Sequence, residues 1–290
     1  MMLRFIRTEP VKYADLHFHS SASDGKYSPV SLGKYLTRRR IAAASLTDHD
    51  TINGFKSFTK SYRGIAIPGV ELSVIKDGHD IHILGYGFDP DNNRLNEKLA
   101  YYRDVRHKRV FHIIERLRDL GMPISNEDVV KNIPPGASAG RPHIARTLVA
   151  RKWVRSETEA FDKYLDYDKP AYVPKAKMTL SEALELIHQA RGIAVLAHPG
   201  KSNGDSIQKI IQNPDLDGIE VWHPNHSDDL SREWLTITKE TDRAATGGSD
   251  FHASAEGKSD SLGMYGLEIG VWILFKKKLI ERETFIAPYL

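Results

Sequence analysis

Apolar positions along the chain follow two periods. In residues 13 to 19 (YADLHFH), 41 to 47 (IAAASLT), 65 to 74 (IAIPGVELSV) and 80 to 87 (DIHILGYG) they alternate with polar ones or form short runs, which predicts β-strands. Between the first two, SPVSLGKYLTRRR has helical spacing behind a Ser-Pro start. Strands separated by helices predict parallel strands joined by crossovers.

From residue 94 to 191 the helical period takes over. RLNEKLAYYRDVRHKRVFHIIERLRDLG reads as one long amphipathic helix stopped by Gly121. SNEDVVKNI, GRPHIARTLVARK, TEAFDKYLD and TLSEALELIHQARG read as shorter helices, broken by IPPGASAG and KPAYVPK. Strand and helix then alternate again in GIAVLAHPG, DGIEVWHPNHS and RAATGGSDFH. Four strands before the helical stretch and three after it predict an α/β fold, a distorted seven-stranded (β/α)7 barrel. Residues 1–93 and 192–290 would form the barrel, and residues 94–191 a helical insertion capping one mouth. The segment after about residue 258, with GLEIGVWILFKKKLIERE, is expected to close the barrel as a strand or helix.

Composition narrows the class. A chain of 290 residues with 40% hydrophobic and 27% charged residues is globular in kind. No apolar run has the length needed to cross a bilayer, and MMLRFIRTEP lacks the sustained apolar core and cleavage site of a secretory signal, so a cytoplasmic location is expected. Cysteine is absent, so any metal must rest on nitrogen and oxygen. A net charge of +3 is too small to indicate duplex DNA as a partner. The 41 Lys and Arg still allow a local basic pocket for an anionic substrate.

The stretch DLHFHSSASDG carries the first chemical signal. In a strand His17 and His19 share a face while Leu16 and Phe18 take the other. Two adjacent imidazoles repel if both are protonated, and a divalent cation removes the conflict. Asp24 follows, then His49 in TDHDT, Glu71, His82, His198 in LAHPG, and Asp250 with His252 in GGSDFH. In a parallel α/β fold the carboxyl ends of the strands face one mouth, so these residues are expected to converge. Singly, each has an ordinary reading. His49 reads as a surface histidine between Asp48 and Asp50 that start a helix, Glu71 as an edge residue, His82 as a rim histidine, and His198 as turn chemistry before Pro199-Gly200. Their recurrence at successive strand ends favours one metal site.

The ordered series HxH, D-G, TDHD, GVE, HILG, AHPG and GSDFH resembles the PHP (polymerase and histidinol phosphatase) superfamily of metallophosphoesterases, over residues 13 to 87 and 192 to 252. The resemblance implies up to three divalent ions. One would be held by His17, His19, Glu71 and Asp250, a second by Glu71, His82 and His198, and a third by Asp24, His49 and His252. Manganese is the expected metal, and mixed imidazole and carboxylate ligation also suits iron or zinc. Phosphoester hydrolysis by metal-activated water follows, with Asp24 or His252 as catalytic proton donor and no serine or cysteine nucleophile.

Within the superfamily the chain resembles the bacterial branch that removes phosphate from 3′,5′-nucleoside bisphosphates and trims short 5′-phosphorylated RNA. The expected partner is therefore a small nucleotide or short RNA, with no membrane partner. Arg141 and His143 at a helix start, Lys201 in AHPGK and His226 in NHS are the expected substrate contacts, with His223 weaker. Lys201 stands where related sequences commonly carry arginine, and offers a point charge instead of a planar fork. Competing readings are a 5′-mononucleotide or histidinol phosphate phosphatase, and a non-catalytic accessory module. His107 and His112, with Arg103, Arg106, Lys108 and Arg109, read as a solvated charged face, and His79 and His188 as exposed. Nothing in the sequence specifies an oligomeric state.

Overall fold

The computed structural model describes residues 12–174, 178–200, 204–253 and 261–283. Strand β1 (Ala14–Phe18) is followed by α1 (Pro29–Arg38), β2 (Ala43–Leu46), α2 (Phe55–Thr59), β3 (Ile65–Ala66), β4 (Gly69–Lys76) and β5 (His79–Tyr86). Five helices come next: α3 (Asn93–Asp119), α4 (Asn126–Val130), α5 (Arg141–Ala150), α6 (Glu157–Ala160) and α7 (Leu180–Gln189), with a π-helical turn at Phe161–Leu165. The remaining described elements are β6 (Ile193–Leu196), α8 (Gly204–Ile211), β7 (Gly218–Trp222), α9 (Asp228–Glu240), β8 (Ala244–Gly247) and α10 (Ile269–Glu281).

The fold is α/β, but the expected seven-stranded barrel is corrected in count, direction and closure. Among the described residues, eight strands lie in two sheets, β1-β2-β3 and β4-β5-β6-β7-β8. The predicted strand at 65–74 divides at Pro68, which has no N–H to continue a ladder. β4 and β5 pair antiparallel through Asp77-Gly78, with φ of 51° and 84°, the positive pair of values that a two-residue hairpin turn requires. β5 also runs antiparallel to β6, so His82 comes from the first half of a reversed strand and not from a carboxyl end. Among the described residues the sheets meet at single bridges, His49 to Glu71 on one side and Phe18 to Phe251 on the other, and no continuous ladder of those residues closes a barrel.

Packing separates a sheet core from a helical one. Leu72, Val74 and Ile83 are buried against Leu184 and Ile187 of α7 and Leu95 and Leu99 of α3, which anchors both ends of the helical stretch on the sheet. Its middle has an independent core of Ile113, Ile114, Leu117, Ile144 and Leu148. The segment near the C-terminus is helical: α10 buries Trp272, Phe275 and Leu279 against Ala14, Leu16, Tyr86 and Ile193.

Candidate metal centre

β1 delivers the first two imidazoles as its alternation dictates. His17 and His19 are buried with their Nε2 atoms 3.3 Å apart. The loop after β1 is tied down by Asp48, whose carboxylate accepts the Ser20 N–H at 2.7 Å and the Ser23 hydroxyl at 2.6 Å, and this places Asp24 beneath His49 and His252. Gly25 permits the turn, because a Cβ there would lie 2.4 Å from the His19 carbonyl oxygen. Gly248 acts similarly: a Cβ would sit 2.3 Å from the His17 nitrogen, so only glycine lets the end of β8 lie on β1.

Glu71 stands at the middle. In the β4-β5 register Glu71 opposes Leu84 and Ser73 opposes His82, so Glu71 and His82 share a face as diagonal neighbours. Glu71 Oε1 lies 2.6 Å from His82 Nδ1 and 3.2 Å from His198 Nε2. Its Oε2 lies 3.0 Å from His19 Nε2, 3.1 Å from His49 Nδ1 and 3.4 Å from His17 Nε2. Asp250 Oδ1 completes that side, 3.4 Å from His17 Nε2 and 3.3 Å from His19 Nε2. His252 Nε2 lies 3.2 Å from Asp24 Oδ1, and its Nδ1 lies 2.9 Å from the Asp250 carbonyl oxygen.

Among the described residues, three groups have donor atoms within 4.8 Å of one another: His17, His19, Glu71 and Asp250; His19, Asp24, His49 and His252; and His49, Glu71 and His82. Two of the candidate ligands sit on strained backbone. His198 (φ 29°) and Asp250 (φ 45°) occupy the left-handed region, as does neighbouring Asp50 (φ 49°), a conformation that L-residues keep only where surroundings enforce it.

The electrostatics demand positive charge at the centre. Burial opposes ionisation of Glu71, Asp24 and Asp250, yet the surrounding histidines hold all three carboxyls well below the usual range. Burial likewise opposes charge on His19, but Asp250 and Glu71 push its pKa up to about 10, and Glu220, Asp250 and Glu71 raise His17. Protons on both facing nitrogens of that pair would repel at 3.3 Å. His49 is driven the other way, well down, by burial, with His19 and Arg106 adding to it. A divalent cation resolves the conflict, since it supplies the charge while each ring remains neutral. The hydrogen-bond inventory fits such a group. Glu71 Oε2, His19 Nδ1 and His49 Nδ1 are buried without a hydrogen-bond partner, although three imidazole nitrogens converge on the first.

No family model matches the sequence. Individual relatives do. The chain is 33% identical to the 5′-3′ exoribonuclease Rnm of Escherichia coli over 82% of its own length and 84% of the relative's. It is 34% identical to the 3′,5′-nucleoside bisphosphate phosphatase of Chromobacterium violaceum, over 85% and 89% respectively. A Bifidobacterium adolescentis crystal structure, named by inference a metal-dependent phosphoesterase, superposes with a TM-score of 0.83 at 27% identity, covering 94% of this chain and 97% of that one. The chain belongs to the PHP family of phosphoesterases.

The PHP residues of the helical segment are placed less simply than the sequence suggests. Arg106 and Arg109 do not form a solvated face. Arg106 binds Asp50 through Nε at 2.5 Å and Ser73 through Nη2 at 2.6 Å, while Arg109 is buried and donates from Nε to the Val173 carbonyl. His107 bonds the Ala137 carbonyl, and His112 is exposed. Arg141 is half-buried, donates to the Leu165 carbonyl at 3.0 Å, and lies over the rings of Phe161 and Tyr172. His143 is buried with its Nδ1 accepting the Gly140 N–H at 3.2 Å, so that nitrogen caps its own helix. The N-terminus of α5 nevertheless borders the centre: a Cβ on Gly140 would lie 3.8 Å from Arg106 Nη1 and 4.0 Å from Asp24 Oδ2.

His226 Nδ1 lies 2.9 Å from the Val221 carbonyl oxygen, with Nε2 buried and unpartnered. His223 Nε2 lies 3.3 Å from Asp250 Oδ2. Lys201 lies outside the described residues. His79 is exposed, but His188 is half-buried and paired with Asp217 at 2.7 Å. Asp48 and Asp50 are buried ties of the centre and not helix starts. Sequence reasoning missed Glu220, which is fully buried in β7 and 2.9 Å from His17 Nδ1. The available signal was a carboxylate between Ile219 and Val221 in a strand otherwise apolar on that stretch.

Proposed function

We propose that the protein is a divalent-metal-dependent phosphatase that removes the 3′-phosphate of 3′,5′-bisphosphate nucleotides, giving a 5′-mononucleotide and inorganic phosphate, and that it also trims short 5′-phosphorylated RNA. The observation that carries this reading is a buried arginine with an unsatisfied guanidinium nitrogen, one helical turn from the Arg106 that binds Asp50 next to His49. Arg109 is 7% exposed, its Nη2 has no hydrogen-bond partner, and Asp80 is the carboxylate whose charge reaches it, without an ion pair to it among the described residues. Burial and the charges of Arg141 and Arg106 bring its pKa down to about 10. An unpaired buried charge is costly, and an anionic ligand is its natural complement. A substrate with one phosphate at the metals and a second under these arginines meets both demands. The names of the exoribonuclease and bisphosphate phosphatase relatives agree with such a ligand.

In this reading the helical segment at residues 94–191 acts as a substrate cap. His17, His19, Glu71 and Asp250 hold one ion, Glu71, His82 and His198 a second, and Asp24, His49 and His252 a third, with manganese the expected metal. Bound divalent ions supply an activated water and neutralise charge on the phosphoryl oxygens. The chain's own residues do the rest. Glu71 offers its two oxygens to opposite sides of the centre. His252 Nε2 lies 3.2 Å from Asp24 Oδ1, and whichever of the two is not engaged by an ion is placed to give the leaving oxygen its proton. Arg141 and Arg109 hold the remote phosphate. The test is phosphate release from adenosine 3′,5′-bisphosphate, AMP and histidinol phosphate at equal concentration with manganese. Preference for the bisphosphate is expected, and equal or slower release from it rejects the reading.

A further inference from the structure

β7 contributes none of the nine candidate ligands, yet its Glu220 touches two of them. The side chain is 0% exposed. Its Oε1 lies 2.9 Å from His17 Nδ1, and its Oε2 accepts the backbone N–H of His198 at 2.8 Å. These two histidines come from strands far apart in sequence, β1 and the end of β6, and in the metal reading they belong to different ions. The first contact fixes a tautomer. With Nδ1–H donated to Glu220, His17 turns Nε2 as a bare lone pair towards Glu71 Oε2 and Asp250 Oδ1, each 3.4 Å away. The second contact holds a backbone that would not rest there unaided, because His198 has φ of 29°.

We propose that Glu220 is the positioning residue of the metal centre, one carboxylate that sets the tautomer of His17 and the location of His198 together. The proposal rests on the reading of these histidines as metal ligands. It explains why the position holds a glutamate. A carboxylate accepts at both oxygens, and both partners here are donors. Glutamine offers one acceptor and one NH2, so either His17 loses its tautomer lock or the His198 N–H faces another donor. Aspartate keeps both acceptors but is shorter by one methylene and reaches only one partner. A carboxylate behind a ligating histidine orients the ring and raises its basicity, and its loss costs about 10- to 100-fold in metal affinity.

The experiment is titration of metal-stripped wild type, Glu220→Gln, Glu220→Asp and Thr246→Val with Mn2+, with free metal followed by electron paramagnetic resonance. Thr246→Val alters a buried polar group of neighbouring β8 that is not among the candidate ligands. Nitrogen-15 spectra of the histidines in the zinc-loaded proteins report the tautomer. We expect E220Q and E220D to fold as judged by circular dichroism and each to lose about 10- to 100-fold in affinity for the tightest ion, with the single Nδ1–H signature of His17 lost in whichever variant keeps its acceptor on His198, and T246V unchanged in both. If one variant does not fold, the other decides. Affinity within twofold of wild type, or an equal loss in T246V, would overturn the proposal. Wild type that binds no manganese would instead overturn the metal reading and this role with it.

Discussion

Oε1 of Glu71 stands 2.6 Å from Nδ1 of His82, across a hairpin whose register places both on one face. The other oxygen of the same carboxylate lies 3.0 Å from His19, so one side chain spans the two halves of the centre. Glu71→Gln removes the shared charge at nearly constant volume. Bound metal should fall, and turnover should drop by more than about 100-fold, since even the outer partners of metal ligands are worth 10- to 100-fold. Elemental analysis and phosphate release check this together. Full metal content with near-normal turnover would remove Glu71 from its central role.

Arg109→Met keeps the bulk of the side chain and deletes its charge. KM for a 3′,5′-bisphosphate should rise about 10- to 100-fold with kcat little changed, the scale of a lost hydrogen bond between charged groups at about 1.5–3 kcal/mol. Steady-state kinetics on the bisphosphate and on AMP measure it. If the ratio of kcat/KM for the two substrates does not change, Arg109 has no part in holding a second phosphate.

His143 gives a pH prediction of definite sign. Burial, with Arg146 and Arg106 adding to it, brings its pKa from 6.5 down to about 4, and its neutral Nδ1 caps α5. Between those values the unfolded chain binds a proton that the folded chain does not, so stability rises with pH. The stability due to neutral His143 is complete above pH 6.5 and is lost as the pH falls towards 4, by about 3 kcal/mol at ~1.4 kcal/mol per unit. His143→Gln keeps an acceptor at a position where glutamine completes a capping box, and does not titrate. Urea unfolding of both proteins in chelator should show wild type losing stability relative to H143Q across this window. Parallel pH profiles would contradict the assignment.

α10 supplies a stability contrast within one helix. Phe275 is fully buried against Tyr86, whereas Ile273 is 58% exposed. Phe275→Ala should cost about 3–5 kcal/mol, and Ile273→Ala should stay within about 0.5 kcal/mol. Chemical denaturation of the two variants decides whether this helix closes the core.

The candidate ligands were legible because period-two alternation and short polar loops fix which side chains leave a strand together, as His17 and His19 show. Strand direction was harder. Asp77-Gly78 is a strong hairpin signal, but it lies within a chain whose other strands are parallel, and reading all carboxyl ends into one mouth concealed the reversal of β5. The arginines of α3 were obscured for another reason. A charge run on a long helix is ordinarily solvated, and only tertiary contact with Asp50, Ser73 and Val173 turns Arg106 and Arg109 inward. Glu220 shows locally only as a carboxylate inside an apolar strand, and its role is not legible there because its partners come from β1 and the end of β6. The acceptor role of His143 depends on the N–H of Gly140, a contact that helix-start composition alone does not separate from a role in phosphate binding.

Anomalous scattering from a crystal grown with manganese tests the central claim most directly. Peaks are predicted within ligand distance of His17, His19, Glu71 and Asp250, with further peaks beside Asp24, His49 and His252 and beside His82 and His198. A well-ordered crystal in ample manganese that shows no peak among these side chains would contradict the account.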